Sequence, residues 1–174
     1  MAAAAHLIVR FFSSLWPFAP TAQSLTWVGE QLCDAEMALW TAASKPDQRH
    51  SVKVARDVVA RLDGDDRAPR EVLAAALLHD IGKNVSGLGT YTRVAATLSA
   101  AVAGRETAEL WVSGSGITRR IGQYLLHPSL GGDLLEMAGS HPLTVAWARE
   151  HHLPSEQWSV DPRFAAALDA ADND

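Results

Sequence analysis

The chain has 174 residues, 48% of them hydrophobic, with 15 Lys and Arg against 20 Asp and Glu and a formal net charge of −5. A chain of this length buries a sizeable core unaided, so we expect one globular domain and a functional role for any metal. Cys33 is the only cysteine, which excludes an intrachain disulfide and a thiolate zinc site and favours a reducing, cytoplasmic location. With three lysines and a negative net charge, the chain lacks the basic stripe that duplex nucleic acid requires.

An apolar stretch between His6 and Trp16 is the first predicted element. Arg10 interrupts this stretch, which disfavours a signal peptide, and the stretch is too short for a transmembrane segment. We expect residues 1–44 to form a helical extension packed on the domain of residues 45–174, with a dimer contact or a membrane-surface contact as the alternatives. The helical spacing is carried by Leu7, Ile8, Phe11, Phe12 and Leu15.

Hydrophobic spacing of period 3.6 recurs along the chain, and no stretch alternates as a half-buried strand would. The sequence therefore predicts an all-α bundle of about seven to nine helices. Loops are predicted at 44–47, 63–66, 87–89 and 112–117, where Gly, Ser, Asp and Pro accumulate. In chain order, the predicted helices cover about 25–32, 35–41, 52–62, 69–80, 91–103 and 117–126, then begin at Pro128 and Pro142, and end with 164–171.

The pair His79-Asp80 is the most informative feature among the seven histidines and their neighbours. The two residues follow Val72 by seven and eight positions, so the apolar face of the predicted helix carries them into the interior. A buried carboxylate is costly unless it is paired or bound to a metal. Because a His-Asp dipeptide also arises by chance, its context decides its meaning.

Five sequence blocks supply that context. They are Arg49-His-Ser-Val-Lys-Val-Ala55, Leu77-Leu-His-Asp-Ile-Gly-Lys83, His127-Pro-Ser-Leu-Gly-Gly132, His151-His152 and Ala167-Leu-Asp-Ala-Ala-Asp172. In this order they resemble the metal-binding blocks of the HD-domain superfamily of phosphohydrolases, and most of all the HD-GYP-type sites, although the Gly-Tyr-Pro segment is missing. The resemblance covers about residues 45–174. It implies a single-domain helical bundle with a metal site in its centre.

The resemblance also implies roles for single residues. It makes Asp80 a carboxylate that bridges two metals, and it places Lys83 close to a substrate phosphate. Helical spacing favours Asp172 as the last ligand because Asp172 shares a face with Leu168, but we follow the resemblance and expect Asp169. The implied metal ligands are His50, His79, Asp80, His127, His151, His152 and Asp169.

Several of these residues also have a purely structural explanation. His50 is a surface histidine before a helix in that interpretation, and His127 belongs to a helix start signalled by Pro128. Adjacent residues of a helix point about 100° apart, so one of the two histidines at 151 and 152 faces solvent. Lys83 becomes a lysine that interacts with the dipole at a helix end.

Imidazole and carboxylate ligands suit iron, manganese, zinc or nickel, and the resemblance implies two such divalent ions. We therefore expect a metal-dependent phosphohydrolase that cleaves a phosphoester of a small phosphorylated molecule, a nucleotide or cyclic nucleotide, with a metal-bridged hydroxide. Monoesters and diesters both stay open, and residues 84–123 are expected to shape the substrate pocket. The alternatives are an HD-type di-iron oxygenase and a catalytically inert nucleotide-binding or signalling module, in which the N-terminal helices form a homodimer surface.

Overall fold

The computed structural model describes residues 19–62, 68–88 and 109–174. In these ranges the chain forms one helical bundle without strands, which confirms the predicted all-α class and helix number. Nine α-helices have defined bounds: α1 (Ala22–Gln31), α2 (Asp34–Thr41), α3 (Lys45–Leu62), α4 (Arg70–Leu78), α5 (Lys83–Ser86), α6 (Gly116–Leu125), α7 (His127–Met137), α8 (Pro142–Glu150) and α9 (Pro162–Asn173). A short 3₁₀ helix, Ser155–Gln157, lies between α8 and α9.

Helix α4 is the centre of the bundle. Every residue from Val72 to Leu78 is buried, and α3 and α8 pack against this helix. The first two helices share the same core, because Val28, Leu32 and Trp40 are buried in one hydrophobic cluster with α4. The residues that directly follow α4 therefore lie in the middle of the bundle.

Helix α3 begins earlier than its apolar spacing predicts. Residues 45–47, which were part of the expected loop at 44–47, instead form the start of this helix, because the Ser44 hydroxyl accepts a hydrogen bond from the Asp47 backbone N–H at 3.3 Å. Pro46 fits here because the first turn of a helix does not use its backbone N–H groups. The longer helix places His50 within a helix rather than in front of one.

The other predicted boundaries agree with the structure to within about three residues, with one difference that matters for the site. Helix α4 ends at Leu78, not at Asp80, and residues 79–82 form a tight turn that leads into α5. The helices expected at 7–15 and 91–103 and the loop at 63–66 lie outside the described residues. None of the described helices combines the length and apolarity needed to cross a bilayer.

Candidate metal centre

Five elements bring polar side chains to the end of α4. The carboxylate of Asp80, in the turn after α4, lies at the middle of this group. Its Oδ1 is 3.3 Å from Nε2 of His127 and 3.6 Å from Nε2 of His151, and its Oδ2 is 3.4 Å from Nε2 of His79. These histidines come from the start of α7, the end of α8 and the same turn as Asp80. We call this group, together with His50, His152 and Asp172, the histidine cluster.

The histidine cluster contains two sets of atoms that could each hold a metal ion. In each set the ligand atoms lie within 4.8 Å of one another, and Asp80 belongs to both. A carboxylate has two oxygens, so one side chain can serve two neighbouring ions. The first set is His50, His79 and Asp80, and the second is Asp80, His127, His151 and His152.

Hydrogen bonds to the backbone fix which nitrogen of three imidazoles faces the cluster. A carbonyl oxygen can only accept, so the Nδ1 atom that contacts it carries the proton, and Nε2 of the neutral ring keeps its lone pair. Metal-binding histidines commonly use this arrangement to set the tautomer and the ring orientation. The bonds run from His79 to Ala76 at 3.0 Å, from His127 to Tyr124 at 2.7 Å, and from His151 to Trp147 at 3.2 Å and Ala148 at 3.0 Å.

Four buried atoms of the cluster have no hydrogen-bond partner within the described ranges of the chain. They are the Nε2 atoms of His79, His127 and His151 and Oδ1 of Asp80. Buried polar atoms are almost always hydrogen bonded, so four that converge need an explanation. A bound cation would account for them, since each can offer a lone pair once His79 has lost its second ring proton, and a mixture of nitrogen and oxygen donors suits first-row transition metals. The residues present therefore fit the metal that the sequence leads us to expect.

Charges are distributed unequally within the cluster. Burial opposes ionisation of Asp80, yet the Lys83 ammonium and His79 hold the pKa of that carboxyl well below its usual range. The Lys83 ammonium contacts Oδ2 of Asp80, and this carboxylate overcomes burial and raises the pKa of Lys83. Burial lowers the pKa of His127, which keeps its ring neutral. The resemblance places Lys83 beside a substrate phosphate. In the structure its ammonium contacts the carboxylate of Asp80.

His79 differs from its neighbours in its protonation. Burial opposes a charge on this ring, but the carboxylates of Asp80 and Asp172 together raise the pKa of His79 to about 10 in the protein without metal. A metal ion bound to Nε2 must displace this proton.

The structure brings Asp172, rather than Asp169, to the cluster. Oδ1 of Asp172 lies 2.8 Å from Nε2 of His50 and 3.5 Å from Nε2 of His79. Asp169 instead accepts a hydrogen bond from the side chain of Asn173 at 2.9 Å, at an exposed position. Of the two aspartates near the end of α9, it is therefore Asp172 that lies against the histidines, as the helical spacing favours, and not Asp169, which the resemblance implies.

The two other expected ligands, His50 and His152, also lie at the cluster. His50 is half-buried beside His79, with the two ring centroids 5.7 Å apart, and is not a surface residue. His152 is exposed at the rim of the cluster, and its ring centroid lies 5.2 Å from that of His127. The two adjacent histidines, His151 and His152, thus differ in burial but approach the same carboxylate.

Two features of the site have no counterpart in the sequence analysis. The ring of Tyr124 stacks on His127, with centroids 5.7 Å apart, while its carbonyl holds the Nδ1 proton of the same histidine. Gly82 packs so closely against α7 that an added Cβ would overlap the carbonyl oxygen of His127 and lie 2.6 Å from the backbone nitrogen of Gly131. A signal for the second feature was present, since glycines occur in both sequence blocks that meet here.

Comparisons with protein-family models, curated proteins and solved structures find no significant match for this chain. Any functional assignment therefore rests on the residues of the histidine cluster and on their geometry.

Proposed function

We propose that this chain is a metal-dependent phosphohydrolase that cleaves a phosphoester of a small phosphorylated molecule. The observation that carries the proposal is the convergence of four buried, unpartnered ligand atoms around a carboxylate shared by two candidate metal sets. The order of the sequence blocks, which resembles that of HD-domain phosphohydrolases, supports the same reaction and favours a nucleotide or cyclic nucleotide as substrate.

The chain offers a specific set of residues for two ions. His50, His79 and Asp80 would hold one ion, with Asp172 beside them, while Asp80 would also join the second set. Bound transition metals would lower the pKa of a coordinated water and screen the negative charge of a phosphate. The second set is Asp80, His127, His151 and His152.

The protein's own charges suit an anionic substrate. The metal-facing histidines are held with Nε2 towards the cluster, and neutral imidazole donors leave the positive charge of a metal uncancelled. Lys83 adds an ammonium whose side chain is only 13% exposed. An ammonium in such a poorly hydrated position binds a phosphate oxygen more strongly than one in bulk water. Lys83 is therefore the proposed phosphate-binding residue.

The proposal is tested by metal analysis combined with an activity screen. Protein purified without chelator should carry more than one transition metal per chain, and protein loaded with manganese, iron, zinc or nickel should hydrolyse members of a panel of phosphate monoesters, diesters and nucleotides. Asp80→Ala should lose metal and activity but keep its helical circular dichroism, because the core does not depend on metal. Asp57→Ala is the matched control, since Asp57 also pairs with a lysine, Lys53, but on the surface of α3.

Two results would contradict the proposal. The first is full phosphoesterase activity in protein stripped of metal, and the second is Asp80→Ala protein with wild-type turnover. Turnover that needs iron and molecular oxygen, without phosphate release, would replace the proposal with the di-iron oxygenase alternative.

A further inference from the structure

The second ligand set depends on a turn that follows α8. Helix α8 ends at Glu150, and His151 is its C-cap, whose backbone N–H still donates to the carbonyl oxygen of Trp147 at 3.0 Å. His152 lies in the turn beyond this cap. Residues 155–160 come back over this turn. We call these residues the return segment.

A tryptophan of the return segment holds the backbone on both sides of the histidine pair. The indole Nε1–H of Trp158 donates to the carbonyl oxygen of Glu150 at 3.1 Å and to that of Leu153 at 3.0 Å. These two carbonyls flank residues 151 and 152 directly. One indole therefore ties together the beginning and the end of the turn.

A second contact joins the return segment to the same helix end. The carboxylate of Glu150 accepts hydrogen bonds from the backbone N–H and from the hydroxyl of Ser159, each at 2.6 Å. Hydrogen bonds to a charged acceptor are stronger than those between neutral groups. The turn is thus closed by bonds to Glu150 through both its backbone and its side chain.

Packing connects the indole of Trp158 to His151 through the ring of Trp147. Its ring meets Trp147 edge to face, with centroids 5.4 Å apart. Trp147 is 2% exposed, and its ring centroid lies 6.3 Å from that of His151. Val160, at the end of the return segment, is buried and anchors it to the core. Trp158 therefore cannot shift without disturbing the layer beneath His151.

From this geometry we infer that Trp158 is a positioning residue for the second ligand set. It holds the turn so that His151 and His152 could bind the same ion as Asp80 and His127. The inference rests on the proposed function, because it concerns the same cluster. Removing a group that orients metal ligands typically costs about 10–100-fold in metal affinity.

The test is Trp158→Phe, which removes the indole N–H and keeps an aromatic ring. Trp27→Phe is the matched control, because Trp27 lies on α1 beneath Arg56 and away from the cluster. Cobalt(II) binding to the whole chain is followed by equilibrium dialysis and by the visible absorption of the bound ion. We expect Trp158→Phe to weaken cobalt binding about 10–100-fold, with a changed spectrum, and Trp27→Phe to leave both unchanged.

Two variant backgrounds assign the effect to one ligand set. In a His50→Ala chain only the second set is intact. Adding Trp158→Phe to this chain should weaken cobalt binding by the same factor as it does in the wild type. With His127→Ala the first set is the intact one, so Trp158→Phe should change the remaining affinity by less than about twofold. Equal losses in both backgrounds would overturn the inference, since they would indicate general damage to the fold.

The remaining outcomes separate the inference from the proposed function. A wild-type chain that binds no cobalt or other transition metal overturns the proposed function and this inference with it. A wild-type chain that binds cobalt, with a Trp158→Phe chain that binds it equally well, overturns the inference alone. If Trp158→Phe does not fold, Ser159→Ala removes one bond to Glu150 at the exposed end of the return segment. Its cobalt affinity should fall severalfold, and an unchanged affinity would overturn the inference.

Discussion

Replacing Gly82 with alanine should damage the histidine cluster without straining the backbone. Gly82 has φ −62°, a conformation that every residue adopts, so an alanine costs nothing in backbone strain. Its Cβ would nevertheless lie 2.6 Å from the backbone nitrogen of Gly131, whereas carbon atoms approach polar backbone atoms to about 3.3 Å. The turn after α4 and the start of α7 must therefore separate by at least about 0.7 Å.

This separation acts directly on a proposed metal ligand. The first residue of α7 is His127, whose Nε2 is 3.3 Å from Oδ1 of Asp80, and its carbonyl oxygen is the other atom that the new Cβ would overlap. Metal sites tolerate deviations of only about 0.2 Å in ligand distance. We expect Gly82→Ala to lower metal affinity at least about tenfold, and to destabilise the fold by about 1–3 kcal/mol, as overpacking of a core does.

The assay is metal titration together with thermal unfolding of the metal-free protein. A loss of 1 kcal/mol corresponds to about 2–4 °C for a chain of this size. Gly29→Ala is the control: this glycine lies within α1, where an added Cβ meets nothing within 4 Å, so alanine should stabilise the fold by about 0.5–1 kcal/mol. If Gly82→Ala binds metal with wild-type affinity and unfolds at the wild-type temperature, the close packing has no role in positioning His127.

Three further predictions concern two charged members of the cluster, Asp172 and His79, and the neighbouring Lys83. Asp172→Asn should weaken metal binding at least about tenfold, whereas Asp169→Asn should leave it unchanged; equal effects in a titration would contradict the assignment of Asp172. Lys83→Met should bind metal at least as tightly as the wild type, because Lys83 competes with the metal for the Asp80 carboxylate. Its kcat/KM for a phosphoester should fall by an amount that corresponds to a loss of about 1.5–3 kcal/mol of transition-state stabilisation. Metal affinity should rise with pH, up to tenfold per unit below pH 10, because the metal displaces a proton from His79; titrations at three pH values that give one constant would refute this.

Local sequence accounts well for the helices and less well for how they begin. The sequence predicts the bounds of α6 and α9 and the start of α8 to within about two residues. Helices α8 and α9 each bury apolar side chains in the core. The apolar spacing misses the first turn of α3, where residues 45–47 are held by a hydrogen bond to the Ser44 hydroxyl rather than by apolar packing. A helix start that depends on a cap has no periodic signal until the capping residue is recognised.

At the site, too, features with a signal in the local spacing could be predicted, and features that depend on contacts between separate elements could not. The position of Asp172 beside the histidines could be predicted from this sequence, since Asp172 shares a helix face with the buried Leu168, whereas the resemblance points to Asp169, three residues earlier on the same helix. The approach of Gly82 to Gly131 and the hold of Trp158 on the turn after α8 depend on how separate elements pack. No spacing rule along the chain contains that information.

The four unpartnered atoms at the end of α4 also place the stability of the metal-free fold in opposition to the proposed metal binding. In the metal-free chain a neutral buried atom without a partner, such as Nε2 of His127, costs about 1–3 kcal/mol. An apolar residue of similar volume, as in His127→Leu, should therefore raise the melting temperature of the metal-free protein while abolishing one ligand. Selection for thermal resistance alone would therefore favour the replacement of such a residue, because the metal-free fold does not need this proposed metal ligand.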